Sequence, residues 1–195
     1  MKNLDKHDKI ISAAIKVFAK KGFFNARISD IAKEAKVADG TIYLYFNNKF
    51  DILVSVFEEE IGKIIAQIEL SLSSETDPQK KLEIFARHHL TAMKRNKNLA
   101  EVIQIELRQS NKVVRDYRNT AFQRYINLIS EIINEGQSTG VFRKDIMPGI
   151  AKRALFGALD EVTRVWTSAS DTSYTLEETI DQLYQIFISG LKIRS

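Results

Sequence analysis

The segment Asp39-Gly40-Thr41-Ile42-Tyr43-Leu44-Tyr45-Phe46 carries hydroxyls at Thr41, Tyr43 and Tyr45, and Lys49 adds a cation just beyond. Hydroxyls and an ammonium on one short helix can hydrogen-bond base edges and phosphates. Gly40 permits close backbone approach. Ile42 and Phe46, four apart, can turn inward and lock the helix to its neighbours. Ser29, at a helix start, offers its hydroxyl and backbone N–H groups to a phosphate. Plainer alternatives stand beside these: Tyr43 and Tyr45 pack, and Lys49 is solvated. A second group, His88-His89 with Glu83, suggests a metal or acid–base site. Adjacent residues point about 100° apart on a helix, so one metal does not take both histidines. A third group is cationic: Lys94, Arg95 and Lys97, then Arg108, Lys112, Arg115 and Arg118. It can meet phosphates, or it can serve helix ends and solvent.

The elements that must position these groups are helical. Only 2 prolines and 8 glycines occur in 195 residues, too few for the turns of an all-β chain. Apolar spacing predicts nine helices: 5–21, 29–36, 39–46, 48–72, 78–93, 99–109, 112–139, 148–169 and 176–193. Gly22 is expected to stop the first. Ser29 should cap the second, Asp39 the third and Asn48 the fourth. Three short helices at the start, the second and third joined by a tight turn, have the layout of a helix-turn-helix unit.

Composition narrows the classes further. Cysteine is absent, which excludes a disulfide framework, a thiolate metal site and a cysteine nucleophile. With 3 histidines and no cysteine, catalysis is not expected, nor is a metal or cofactor. No stretch approaches the roughly 18 apolar residues of a membrane span. The charged start, Met1-Lys2-Asn3-Leu4-Asp5-Lys6, does not suit a signal peptide, so a cytoplasmic protein is expected. The net charge is +4, yet residues 1–50 hold ten basic and five acidic side chains. A basic head on a near-neutral body suits nucleic acid, and also suits a merely solvated helix face.

The string from Gly22 to Leu53 resembles the TetR family of bacterial transcription regulators. The similarity lies in Gly22-Phe23-Phe24, Ile28-Ser29-Asp30-Ile31-Ala32, the run Ala35 to Phe46, and Lys49-Phe50-Asp51-Ile52-Leu53. The resemblance implies an all-α, nine-helix homodimer, with a DNA-binding domain over 1–50 and an effector-binding and dimerisation domain over 51–195. It implies a palindromic operator, with half-sites about 34 Å apart. The DNA-contact candidates are Arg27, Ser29, Ala38, Asp39, Gly40, Thr41, Tyr43, Tyr45 and Lys49. Two positions depart from the common pattern. Arg27-Ile28 replaces a hydroxyl pair, making Arg27 a phosphate contact. Ala38-Asp39 replaces a Ser-Lys-like pair; Asp39 either caps its helix or accepts from a cytosine amino group.

Further along, Gln104-Ile105-Glu106-Leu107-Arg108-Gln109-Ser110-Asn111, Phe156-Gly157, Asp160-Glu161 and Trp166 resemble the fatty-acid-degradation regulators of that family, the FadR-like subgroup. Within it the implied effector is a long-chain acyl-CoA, which releases the operator. Such a ligand needs an apolar tunnel and cations for its phosphates. The candidates are Ile103, Gln104, Leu107, Arg108, Arg115, Phe122, Ile126, Phe156, Asp160 and Trp166. Arg108 either meets phosphate or pairs with Asp160 or Glu161. A repressor of an efflux system, sensing aromatic cations, is the alternative; that pocket wants buried carboxylates, whereas the basic cluster after Arg108 favours acyl-CoA. A partner-binding module without DNA contact is disfavoured by the helix-turn-helix string. The eighth and ninth helices carry apolar faces for a four-helix dimer seam, with Gly157 and Ala158 allowing close approach, unless both faces bury within one subunit.

Overall fold

The computed structural model describes residues 2–108, 120–168 and 174–193. They form nine helices: α1 (Lys2–Asn25), α2 (Ile28–Ala35), α3 (Asp39–Ile42), α4 (Lys49–Leu72), α5 (Pro78–Arg95), α6 (Lys97–Arg108), α7 (Thr120–Ser138), α8 (Pro148–Ser168) and α9 (Leu176–Leu191). No strand occurs among the described residues; Phe142 and Lys192 share an isolated antiparallel bridge. Packing divides the chain into two compact units, Met1–Ile61 with Asn96–Thr120 and Gly62–Arg95 with Ala121–Ser195.

In the first unit, Ile10, Ile11, Ala14, Ile15 and Phe18 are buried along α1, which packs on α2 and α6. The regular helix breaks at Gly22 as expected: its backbone leaves helical geometry (φ 71°, ψ 157°), and a second short helical stretch carries α1 on to Asn25. The left-handed φ suits glycine. The start of α2 differs from expectation: its N-cap is Arg27, not Ser29. The Asp30 carboxylate accepts the Arg27 backbone N–H at 3.0 Å and pairs with Lys21 at 2.7 Å. A charged acceptor at the third helical position ties the entry from inside, so the helix begins before Ser29. Lys21 chiefly, with the Arg27 backbone N–H, holds the Asp30 carboxyl below its usual range.

Asp39 does not cap α3. The N-cap is Ala38, with extended backbone and no side-chain hydrogen bond; its carbonyl accepts the Thr41 N–H at 2.8 Å. Asp39 instead lies in the first turn, where the helix dipole favours an acid. Regular helix ends at Ile42 rather than Phe46. Successive turns carry the chain on, closed by Phe46 N–H donating to the Ile42 carbonyl at 3.0 Å. Asn48 caps α4 as expected, accepting the N–H groups of Phe50 and Asp51 at 2.8 and 3.0 Å.

In the second unit, Leu82, Phe85, Ala86, His89, Leu90 and Met93 form the buried stripe of α5, which packs on α8 and α9. Leu155, Leu159, Thr163 and Trp166 are buried on α8. Thr175 and Glu178 cap α9 reciprocally, at 3.2 and 2.7 Å. Lys81 of α5 pairs with Glu135 of α7 at 2.6 Å. Gly136 lies against the fully buried ring of Phe142.

Candidate functional site

At the α2–α3 corner, Arg27, Ser29, Ala38, Asp39, Gly40 and Tyr43 are exposed, while Thr41 and Tyr45 are half-buried. Ile42 and Phe46 point inward and are buried. The alternation does what the sequence spacing asked: two apolar anchors fix the corner and leave hydroxyls on its outer side. Tyr43 is 57% exposed, so its phenol is not consumed by packing. His7 of α1 supports the corner from behind, its ring 5.2 Å from that of Phe46 and 6.1 Å from that of Tyr45. The His7 imidazole also lies 3.3 Å from Glu59 and 3.6 Å from Asp8. These three residues are the one group among the described residues that could hold a metal ion.

Lys49 behaves differently from a solvated cation. Its ammonium donates to the carbonyls of Phe24 and Ala26, at 3.1 and 2.6 Å. It also lies 4.6 Å from the centre of the Phe23 ring. These carbonyls end α1, so Lys49 fastens the start of α4 to the α1–α2 corner. Lys49→Met is expected to lower stability by about 1–3 kcal/mol, the range for partly buried hydrogen bonds to a charged group. The urea midpoint measures this. An unchanged midpoint with weaker operator binding would assign the ammonium to DNA alone.

The ligand candidates divide between the units. Ile103 and Gln104 are buried on α6, in the first unit. The side chains of Leu107 and Arg108, and the whole of Arg115, lie outside the described residues, as do Lys112 and Arg118. Phe122, Ile126, Phe156, Asp160 and Trp166 belong to the second unit. There Phe122 and Phe156 meet edge to face at 5.3 Å. Ile126 and Asp160 are half-buried. Glu161, considered as a partner for Arg108, pairs with Arg164 one turn on, at 2.9 Å.

Around Phe156 the structure assembles a buried polar chain not expected as part of the site. His89 Nδ1 and the Tyr125 hydroxyl are 2.6 Å apart. His89 Nε2 and Thr163 Oγ1 are 3.5 Å apart, and Thr163 donates to the Leu159 carbonyl at 2.9 Å. One proton arrangement satisfies every donor: Tyr125 O–H to Nδ1, Nε2–H to Thr163, Thr163 O–H to Leu159. Burial pushes the His89 pKa down to about 4 and the Tyr125 phenol up, so both are neutral near pH 7. Phe85 and Phe156 pack on the Tyr125 ring at 5.1 and 6.3 Å. The signal for His89 was present in sequence: it occupies a core position of the α5 stripe. His88 points elsewhere, its Nε2 2.8 Å from Ser71 Oγ, so the adjacent histidines have separate partners.

At the other end of the α8 face, the buried indole N–H of Trp166 has no acceptor among the described residues. The ammonium of Lys94, on α5, lies 5.2 Å from the centre of the Trp166 ring.

Comparison with known proteins places these units in context. Residues 10–56 match the family described as bacterial regulatory proteins, tetR family. Residues 57–190 match the C-terminal region of YsiA-like proteins. Over 186 residues, 95% of each chain, the sequence is 36% identical to the fatty acid metabolism regulator protein of Bacillus subtilis (strain 168). The fold superposes on the fatty acid degradation regulator FadR from Bacillus halodurans with a TM-score of 0.87, 40% identity and 97% coverage of both chains. It superposes on the transcriptional regulator FadR from Bacillus subtilis in complex with stearoyl-CoA with a TM-score of 0.86 and 36% identity, covering 93% of this chain and 97% of that one.

Proposed function

From a chain that belongs to the TetR family of bacterial regulatory proteins, we propose a repressor of fatty-acid metabolism that a long-chain acyl-CoA releases from its operator. The observation that carries this is likeness over nearly the full chain to a fatty acid metabolism regulator and to a FadR structure in complex with stearoyl-CoA. The function assigned to the exposed α2–α3 corner is operator recognition. Arg27 and Ser29 meet phosphate. Thr41, Tyr43 and Tyr45 present hydroxyls to base edges and backbone, and Ala38, Asp39 and Gly40 lie against the groove. Lys49 contributes first by fixing the corner. These residues fall within the expected DNA-binding domain, 1–50, and effector binding and dimerisation fall within 51–195.

A palindromic operator requires two such corners, hence a dimer. Ile150 of α8 and Ile186 of α9, each 63% exposed, offer apolar surface to such a seam. The effector set comprises Phe122, Ile126, Phe156, Asp160 and Trp166, with Ile103, Gln104, Leu107, Arg108 and Arg115. Catalysis has no part in this scheme. The neutral His89–Tyr125 pair is enclosed by aromatic rings, which suits an apolar chain better than an aromatic cation.

An operator-shift assay on DNA from the protein's own promoter tests the scheme. Palmitoyl-CoA is expected to release the DNA, while free coenzyme A, free palmitate and a cationic dye leave it bound. Release by the dye and not by palmitoyl-CoA would sink the effector assignment and leave a repressor of another class.

A further inference from the structure

A buried N–H without an acceptor is expensive, about 1–3 kcal/mol, and native proteins rarely leave one. Trp166 is 5% exposed and its Nε1 has no partner among the described residues. Thr163, one turn earlier on the same buried face, bonds His89 and the Leu159 carbonyl. Above the indole ring lies the exposed ammonium of Lys94. A dry donor thus sits beside a wet cation.

That pairing selects a particular ligand group. It must accept a hydrogen bond in an apolar setting, and it must join an apolar stretch to a polar or anionic one at that point. A free phosphate does not fit, because burying it beside a neutral N–H costs more than the bond returns. A carbonyl at the junction of a hydrocarbon chain and a charged head does fit. We propose that Trp166 Nε1–H donates to the thioester carbonyl of the acyl-CoA, with Lys94 flanking the head-group side of the same junction. The assignment rests on the acyl-CoA reading above and sharpens it. Trp166 is then the residue that registers where the fatty chain ends, rather than one more apolar wall.

The test uses two ligands of equal length on the full-length protein: palmitoyl-CoA, and hexadecyl-CoA, the thioether that lacks the carbonyl. Binding of each is titrated to wild type and to Trp166→Phe, which removes the N–H and keeps most of the aromatic surface. Wild type is expected to bind palmitoyl-CoA about tenfold more tightly than the thioether, the loss a buried unpaired donor brings. Trp166→Phe should bind the two alike, at the level of wild type with the thioether. Without ligand, Trp166→Phe is expected to melt a few degrees lower from the smaller buried ring alone, so the readout is the ratio of the two affinities within each protein. A tenfold preference for palmitoyl-CoA that persists in Trp166→Phe would overturn the proposal. So would an equal loss of affinity for both ligands, or no loss for either. Wild-type protein that binds neither ligand would overturn the acyl-CoA reading, and this assignment with it. Lys94→Met serves as the companion variant: it should weaken both ligands equally, since both carry the same head group.

Discussion

Lowering the pH from 7 to 4 is expected to remove roughly 3 kcal/mol of stability through one residue, His89. The unfolded chain protonates this imidazole near 6.5, whereas the folded protein resists down to about 4, because burial penalises the cation. Between those values the unfolded state binds a proton that the native state does not. Stability contributed by the neutral ring is therefore complete above the unfolded value and is lost as pH falls through the window. The geometry explains the resistance. Nδ1 is occupied by Tyr125 at 2.6 Å, and aromatic rings of Tyr125 and Phe156 close around the imidazole. A second proton would force Tyr125 O–H to turn away from a donor inside an apolar shell. Carboxylates also titrate near pH 4, so the measurement is a difference. Urea midpoints of wild type and His89→Leu are compared from pH 7.5 to 4. The variant should be weaker at pH 7, where Tyr125 has lost its acceptor, and the two profiles should converge as pH falls. Parallel profiles would mean that His89 is protonated in place without penalty. The same burial acts on Tyr125 in the opposite direction, so stability should also fall above pH 10, where the unfolded phenol ionises and the folded one does not.

Gly136→Ala is expected to destabilise the second unit by about 3 kcal/mol or more, at or beyond the upper end for overpacking a core. A methyl built there lies 2.1 Å from Cδ2 of Phe142 and 2.5 Å from Cε2, well inside contact distance. Relief by backbone movement is blocked. The N–H groups of Val141 and Phe142 both donate to the Gly136 carbonyl, at 2.8 and 2.9 Å. On the far side, Arg143 N–H donates to the Leu191 carbonyl at 2.9 Å. The ring must leave its rotamer or the loop after α7 must part from the end of α9. Thermal unfolding of Gly136→Ala measures the loss. Pairing it with Phe142→Leu should give a destabilisation well short of additive, because the smaller side chain admits the methyl. Additive losses would show that the two groups do not collide.

Much of this fold could be read from spacing alone. The apolar stripe of α5, from Leu82 to Met93, announces both the helix and its buried face, and with it the burial of His89. The inward turn of Ile42 and Phe46 follows from their separation by four. The helix entries were harder. Ser29 and Asp39 are good capping types, yet the caps are Arg27 and Ala38. At α2, Asp30 reaches back to the entry while holding Lys21; at α3 the backbone alone closes the turn. Residue type indicates a preference, and the three-dimensional neighbour decides. Lys49 shows the limit most clearly. Its charge suggested phosphate, but its partners are carbonyls 25 and 23 residues upstream, a pairing that local periodicity cannot encode. The same holds for the chain from Tyr125 through His89 to Thr163, which joins α7, α5 and α8.

The interleaving of the two units along the chain bears on how the protein is made. α1 rests on α6, which is translated only after the whole of α5, a helix of the other unit. At about 5–20 residues per second, a ribosome that has finished the helix-turn-helix string takes several more seconds to supply that support. During the interval the apolar stripe of α1 from Ile10 to Phe18 lacks one of its covers. Nascent chains stalled after Ile61 therefore present a greasy helix to chaperones, and no single cut in the gene separates the two units as self-sufficient pieces.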